Sequence, residues 1–146
     1  MRRVRTMSKG SRVVVRWSMQ DARNLVVAEY AHRLAVATYR HTELFPPVER
    51  FGITSQMRRA AVSIASNIAE GCGRRSNREL LQYLYIASGS AKELTCQLRI
   101  ATDLGFGDPA SAERLSDETK RVAKMLARLV SFLRRQPALR QNERRP

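Results

Sequence analysis

The chain has 146 residues, of which 43% are hydrophobic and 27% charged, and it carries a net charge of +14 at neutral pH. This length suits one domain with a hydrophobic core of its own, and the composition is not that of a disordered chain. Five prolines and seven glycines exclude a collagen-like or proline-rich fibre. No apolar run reaches the roughly 18 residues that a transmembrane helix needs, so we expect no membrane association.

The positive charge is concentrated at the two ends of the chain. Residues 1–20 carry +6 and residues 134–146 carry +4, which leaves +4 for everything between them. We therefore expect a basic, disordered N-terminal arm over 1–20, a helical domain over 21–134 and a basic tail over 135–146. Arginine supplies 23 of the 27 cations, and its planar fork suits phosphate. An arginine-favouring, GC-rich genome is the alternative explanation of the two ends.

The cysteines and the start of the chain point to the cytoplasm. Cys72 and Cys96 are far apart and form no CxxC pair, so a reduced protein is expected. The basic N-terminus lacks the apolar core of a signal peptide, since three valines are followed at once by Arg16.

Beyond residue 20 the hydrophobic periodicity predicts four helices and no strands. The first is expected over 21–43, with Asp21 as N-cap and Pro46 ending it. Its apolar face is predicted from residues three and four apart, namely Leu25, Ala28, Ala31, His32, Ala35 and Tyr39. The second is expected over 54–71, with Thr54 as N-cap and a glycine at its end.

The third and fourth helices have the clearest start signals. Ser76 and Glu79 form a capping box for a helix that runs to about Gly105, and Asp108 precedes a proline at the first position of the last helix. Gly89, within an all-small segment of the third helix, predicts a close approach of another backbone. The predicted fold class is therefore all-α. Because the last two connections are only three or four residues long, the helices are expected to form an antiparallel, up-down four-helix bundle.

Three segments of the predicted bundle resemble a known family. They are residues 45–71 (FPPVERFGITSQMRRAAVSIASNIAEG), residues 73–90 and residues 92–106. The sequence resembles the bacterial four helix bundle proteins encoded by intervening sequences in large-subunit ribosomal RNA genes. It departs from the family pattern at Ala65, where proline is usual, and at Cys72, where an aromatic residue is common.

The resemblance implies a homopentameric barrel of four-helix protomers. It also implies kinship with the accessory variability protein of diversity-generating retroelements, a basic pentamer that binds nucleic acid and a reverse transcriptase. Most other members have no assigned activity.

The sequence offers little for catalysis. His32 and His41 lie nine residues apart without a nucleophile or carboxylate pattern around them, and surface or boundary positions are expected for both. Cys72 lies near arginines that could lower the pKa of its thiol, but no base accompanies it. Glu70 and Glu93 are a weak pair for a metal-dependent nuclease. We expect a non-enzymatic protein without cofactor or metal.

A set of polar and small residues on the second and third helices admits two interpretations. One is a binding site; the favoured one is a buried or interfacial hydrogen-bond network that fixes helix register and subunit orientation. The set is Ser66, Asn67, Glu70, Gly89 and Glu93.

The basic residues are the candidates for nucleic-acid binding. Two arginines open the second helix, three surround the turn before the third, and three cations lie at i, i+4 and i+8 on the fourth. These residues are Arg58, Arg59, Arg74, Arg75, Arg78, Lys120, Lys124 and Arg128. An ordinary solvated face is the alternative for the isolated protomer. The absence of aromatics interleaved with them argues against recognition of single strands.

The sequence therefore predicts an oligomeric, RNA- or DNA-binding bundle, which could serve as an adaptor for a nucleic-acid-processing protein such as a reverse transcriptase. The alternative is a protein-interaction scaffold whose basic tails are incidental.

Overall fold

The computed structural model describes residues 5–6, 14–15 and 19–136. Two short strands, β1 (Arg5–Thr6) and β2 (Val14–Val15), pair antiparallel. The rest is helical: α1 (Met19–Thr42), a 3₁₀ turn (Pro47–Glu49), α2 (Ile53–Cys72), α3 (Asn77–Asp103) and α4 (Pro109–Arg134). Of the predicted N-terminal arm the structure describes only residues 5–6, 14–15 and 19–20. The rest of the arm and most of the predicted C-terminal tail lie outside the described residues.

The four helices pack around one hydrophobic core. Helices α1 and α3 each contact both α2 and α4. The fully buried side chains include Leu34, Met57, Leu84 and Leu126, one from each helix. Burial of such side chains is the main source of stability in a fold without strands in its core.

The predicted core face of α1 is only partly correct. Ala31 is buried, and Ala28 and Ala35 are half-buried and pack against the core, but His32 and Tyr39 are exposed. The face that packs in the core includes polar residues at helical spacing. Apolar periodicity alone therefore did not predict it. It comprises Asn24, Val27, Ala31, Leu34, Thr38 and His41. The side chains of Asp21 and Leu25 lie outside the described ones, and the helix begins at Met19, ahead of the predicted cap.

The start of α2 also differs from the prediction. Gly52 occupies the N-cap position, and Thr54 lies inside the helix with a buried side chain. The carboxylate of Glu49 accepts a hydrogen bond from the Ile53 N–H at 3.3 Å, so a side chain from the preceding 3₁₀ turn satisfies the first amide of the helix.

The predicted caps of α3 and α4 are confirmed. The Ser76 hydroxyl accepts from the Glu79 N–H at 3.2 Å, and the Asp108 carboxylate accepts from the Ser111 N–H at 2.8 Å. Pro109 takes the first helical position of α4, where its missing N–H costs no hydrogen bond.

Helices α2 and α3 approach each other closely at two places. A side chain at Gly71 would place its Cβ 2.9 Å from the Leu80 side chain and 2.9 Å from that of Tyr83. Farther along, the hydroxyls of Ser63 and Ser90 are 2.8 Å apart, and Asn67 donates to the Ser63 carbonyl. Small residues therefore let the two backbones meet.

The close approach predicted at Gly89 is wrong within the protomer. A Cβ built at this exposed glycine would meet nothing within 4 Å. The short distance between α2 and α3 is provided by Gly71 and the two serines instead. In the described part of the chain, none of the helices has the length and hydropathy needed to cross a membrane.

Candidate nucleic-acid interface

The polar residues singled out on α2 and α3 divide into two groups. Asn67 is half-buried and bonded to the Ser63 carbonyl and hydroxyl at 2.8 and 3.1 Å. Ser66, Glu70 and Glu93 are exposed, as is Gly89. A buried network within the protomer therefore includes only Asn67 of this set, and the interfacial alternative remains the expectation for the others.

Arg74, at the α2–α3 turn, is held by two neighbours. Its guanidinium pairs with the Glu70 carboxylate one helical turn earlier, and it donates to the Tyr83 hydroxyl at 2.7 Å. The guanidinium carbon also lies 5.0 Å from the centre of the Tyr83 ring. Tyr83 first, and then Glu70, raise the pKa of Arg74, which remains cationic at every physiological pH. Arg74 thus fixes the turn to α3 as well as contributing charge.

Arg75 and Arg78 differ from Arg74 because both are exposed and have no ion-pair partner among the described residues. They flank the capped start of α3, where backbone N–H groups and the helix dipole add positive potential. An anion that approaches this turn meets two free guanidinium groups.

Arg58, in the first half of α2, is half-buried against α1. Its Nε donates to the Thr42 hydroxyl at 2.8 Å, and its guanidinium carbon lies 4.6 Å from the centre of the Tyr39 ring. The Thr42 hydroxyl is itself fixed by bonds to the carbonyls of Thr38 and Tyr39. These contacts hold the Arg58 fork in one orientation, with no carboxylate partner in the described part of the chain.

Arg58 and Arg59 line a surface cleft of about 620 Å³ between α1, α2 and α3. Tyr39 forms part of one wall and Gln97 part of another. The side-chain oxygen of Gln97 is buried and has no hydrogen-bond partner among the described residues. The Glu93 carboxylate also lines the cleft, which thus combines two cations, one acid, an aromatic ring and an unused acceptor.

The three cations predicted on α4 are all exposed. Lys120, Lys124 and Arg128 lie opposite the buried residues of that helix, as their spacing indicated. The acids of α4 precede them in its first half, at Glu113, Asp117 and Glu118, so the second half of the helix is the basic one.

Few of these charges are neutralised locally. Among the side chains that the structure describes, the ion pairs are Arg33 with Glu29 and Arg74 with Glu70, both one helical turn apart. The other described cations have no carboxylate within 4 Å.

Nothing in the described part of the chain resembles a metal site, since no three His, Cys, Asp or Glu side chains lie close enough to hold an ion. The expectation of a surface or boundary position is confirmed for His32, which is exposed, and wrong for His41, which is 3% exposed. His41 contacts the Ser111 hydroxyl through Nδ1, while its buried Nε2 has no partner in the described chain.

Sequence reasoning missed two features of the surface. Tyr39 was assigned to the core, whereas it stands beside Arg58 from another helix, and only the fold brings the two together. A group of exposed apolar residues near one end of the bundle was also overlooked. It comprises Leu44, Val48, Phe51 and Leu104.

The fold and this surface define a small, basic four-helix protein whose arginines are mostly unpaired. A family model described as 23S rRNA-intervening sequence protein matches residues 23–128, and the chain belongs to that family. The match spans all four helices, which confirms the resemblance drawn from the sequence.

A solved structure from Bacteroides thetaiotaomicron VPI-5482 has the same fold. It is a protein of unknown function from the S23 ribosomal protein family, with a TM-score of 0.69 and 20% identity. The similarity covers 75% of this chain and 98% of that one. A comparison with curated proteins gives no match.

Proposed function

We propose that this protein is a non-enzymatic, self-associating helical bundle that binds RNA or DNA through phosphate contacts. The main support is the small number of carboxylates beside its cations: in the described chain only Arg33 and Arg74 are in ion pairs. Each cation that neutralises a phosphate releases counterions, so unpaired arginines favour binding to any polyanion. The family name, which refers to ribosomal RNA genes, agrees with this class of ligand.

We infer that the helices run up and down in antiparallel order, because the short α2–α3 and α3–α4 connections leave no room for a crossover. This order brings the α2–α3 turn and the second half of α4 to the same end of the bundle. The basic end surface consists of Arg75, Arg78, Lys124 and Arg128, all exposed. Two neighbouring helices would then present a continuous positive surface to a phosphate backbone.

Self-association is supported by the outer side of α3. Exposed residues follow one another there at alternating steps of four and three, which is the spacing of a coiled-coil seam. They are Gln82, Ile86, Gly89, Glu93, Cys96 and Ile100. Open space at Gly89 allows a helix of a second copy to approach. The family resemblance implies that five copies assemble, and a pentamer would carry about +70.

An adaptor role for a nucleic-acid-processing protein, such as a reverse transcriptase, extends this proposal. It follows from the resemblance to the retroelement accessory protein. A bundle that holds nucleic acid at one end and exposes apolar residues elsewhere is suited to bridging the two partners.

The test is a salt titration of the full-length protein with labelled RNA and duplex DNA. The double charge reversal Arg75→Glu and Arg78→Glu removes two phosphate contacts, so the slope of log K against log salt should fall by about two. The matched control is the double reversal of Arg40 and Arg114, which are exposed, basic and outside the basic end surface.

Equal losses in both double variants would mean that only net charge matters and would contradict a site at the basic end surface. Failure of the full-length protein to bind either nucleic acid at low salt would contradict the proposed function itself.

A protein-interaction scaffold is the second candidate function. It is favoured by the exposed apolar residues at one end, where Phe51 is 89% and Val48 86% exposed. Apolar side chains this exposed and this close together are typical of surfaces that bind another protein. Unchanged nucleic-acid affinity in both charge variants would favour this function.

A further inference from the structure

The cleft beside Arg58 has the chemistry of a nucleotide site. Its two arginines, the Tyr39 ring and the unused acceptor of Gln97 come from three helices, and together with the Glu93 carboxylate they line a volume of about 620 Å³. This volume lies in the range of small-molecule binding sites. We propose that the cleft holds one unpaired nucleotide of a single-stranded nucleic acid, an inference that rests on the proposed function and gives its ligand class.

The phosphate would bind at the two arginines. Arg58 is already oriented by the Thr42 hydroxyl, 2.8 Å from its Nε, and that bond leaves its terminal nitrogens for an incoming oxyanion. A guanidinium fixed in this way loses little freedom when it binds phosphate, which favours a bidentate contact. Arg59, exposed and next in sequence, adds a second charge at the same rim.

The base would stack on Tyr39. This ring is 44% exposed although the guanidinium of Arg58 covers part of it, so ring surface remains available for a flat partner. Bases stack on aromatic side chains whatever their sequence, and a stacked base has to be unpaired. A duplex, whose bases are already stacked on one another, cannot use this ring.

The far wall supplies a hydrogen-bond acceptor. The Gln97 side-chain oxygen is buried without a partner among the described residues, and such an atom is costly unless something donates to it. Since this oxygen has almost no accessible surface, the Gln97 side chain has to rotate toward the cleft before the amino group of a base or a ribose hydroxyl can donate to it. A second copy of this chain is a less suitable occupant of the two arginines, because each copy carries 27 cations against 13 acids.

The test compares single-stranded RNA with a duplex of equal length. Binding of each labelled 12-nucleotide ligand to the full-length protein is followed by fluorescence anisotropy at fixed salt. Loss of one stacked base in Tyr39→Ala should weaken single-strand binding about tenfold and leave duplex binding within about twofold. Tyr39→Phe keeps the ring and should retain most of the affinity. Tyr85→Ala, at a tyrosine of similar exposure (50%) outside the cleft, should change neither.

Melting curves and solution mass of each variant accompany the titrations. Three results would overturn the nucleotide site: equal losses on single strand and duplex, no loss in Tyr39→Ala, or a loss that follows a change in oligomer mass. The last result would show that the cleft is a subunit interface. The proposed function survives all three results. It fails only if the unmodified protein binds neither ligand.

Discussion

The imidazole Nδ1 of His41, in the last turn of α1, lies 3.0 Å from the hydroxyl oxygen of Ser111, in the first turn of α4. The His41 ring also meets Phe45 edge-on at 5.3 Å and is 3% exposed. The first and last helices are thus joined by a polar contact inside an apolar environment. Burial lowers the pKa of His41, and Asp108 opposes this only partly.

We expect this histidine to make stability depend on pH. The unfolded chain protonates His41 near its ordinary pKa of 6.5, whereas the folded protein resists the proton to lower pH. Stability is therefore fully present above about pH 6.5 and is lost as the pH falls from there to the folded-state pKa, by at most about 1.4 kcal/mol per pH unit. Thermal unfolding at pH 7.5 and 5.5, at equal ionic strength, measures the loss.

The control uses the other histidine. His41→Gln should lower the melting temperature at pH 7.5 and remove most of the difference between the two pH values. His32→Gln changes an exposed ring and should keep the difference. A pH difference that persists in His41→Gln would assign it to other groups.

Two glycines in the α3–α4 connection offer a matched test of packing around the same histidine. Gly105 and Gly107 both have positive φ, +75° and +78°. A Cβ at Gly107 would lie 2.8 Å from His41 and 3.0 Å from Phe45, whereas one at Gly105 would meet nothing within 4 Å. Alanine should cost about 1 kcal/mol at position 105, from backbone strain alone, and about 2–4 kcal/mol at position 107.

Chemical denaturation of the two alanine variants gives the comparison. Equal costs would show that the His41 ring moves aside without loss. A larger cost at position 105 would contradict the packing described for this connection.

The helix starts that the sequence predicted correctly are those set by side chains close to them in the chain. Ser76 and Asp108 cap α3 and α4 because each has a side-chain oxygen placed to meet an amide three residues later. The core face of α4 was also predictable, since apolar residues at steps of three and four mark it, with Thr119 as the one polar member. Information of this kind is contained in a few neighbouring residues.

Features that depend on a second helix could not be predicted in this way. The core face of α1 includes Thr38 and His41. The Thr38 hydroxyl donates to a carbonyl one turn earlier, and His41 Nδ1 contacts Ser111 of α4. Their burial follows from partners that a single helix does not reveal. Packing of α1 on α2 likewise brings Tyr39 and Arg58 together. Because the two residues are far apart in the sequence, a pattern of neighbouring residues could not predict the aromatic side of the cleft.

Removal of the Glu70 carboxylate tests the structural role predicted for the polar residues of α2. Glu70→Ala breaks the pair with Arg74 and leaves only Tyr83 to orient that side chain. We expect a changed oligomer mass or a lower melting temperature, the latter by about 2 °C or less because exposed ion pairs contribute little. Glu79 is unsuitable as a control because it accepts a hydrogen bond from the Ser76 cap. Glu113→Ala, on the exposed side of α4, is the better control. Unchanged melting and mass would contradict a structural role.

Replacement of Gly89 tests whether the outer side of α3 is a subunit contact. In the protomer this glycine is exposed and a Cβ there meets nothing, so a larger residue fits and should even raise helix stability by up to about 1 kcal/mol. In an assembly built on the α3 seam, the same side chain would separate two helices. We expect Gly89→Gln to lower the oligomer mass measured by light scattering while circular dichroism shows intact helices.

Lys92→Gln is the matched control for that experiment. It introduces the same side chain at an exposed position of α3 outside the seam, and it should leave the mass unchanged. If Gly89→Gln keeps the mass of the unmodified protein and melts at a higher temperature, the outer side of α3 faces water in the assembly. The subunits would then have to meet through another face of the bundle, and the exposed apolar residues around Phe51 would be the next surface to alter.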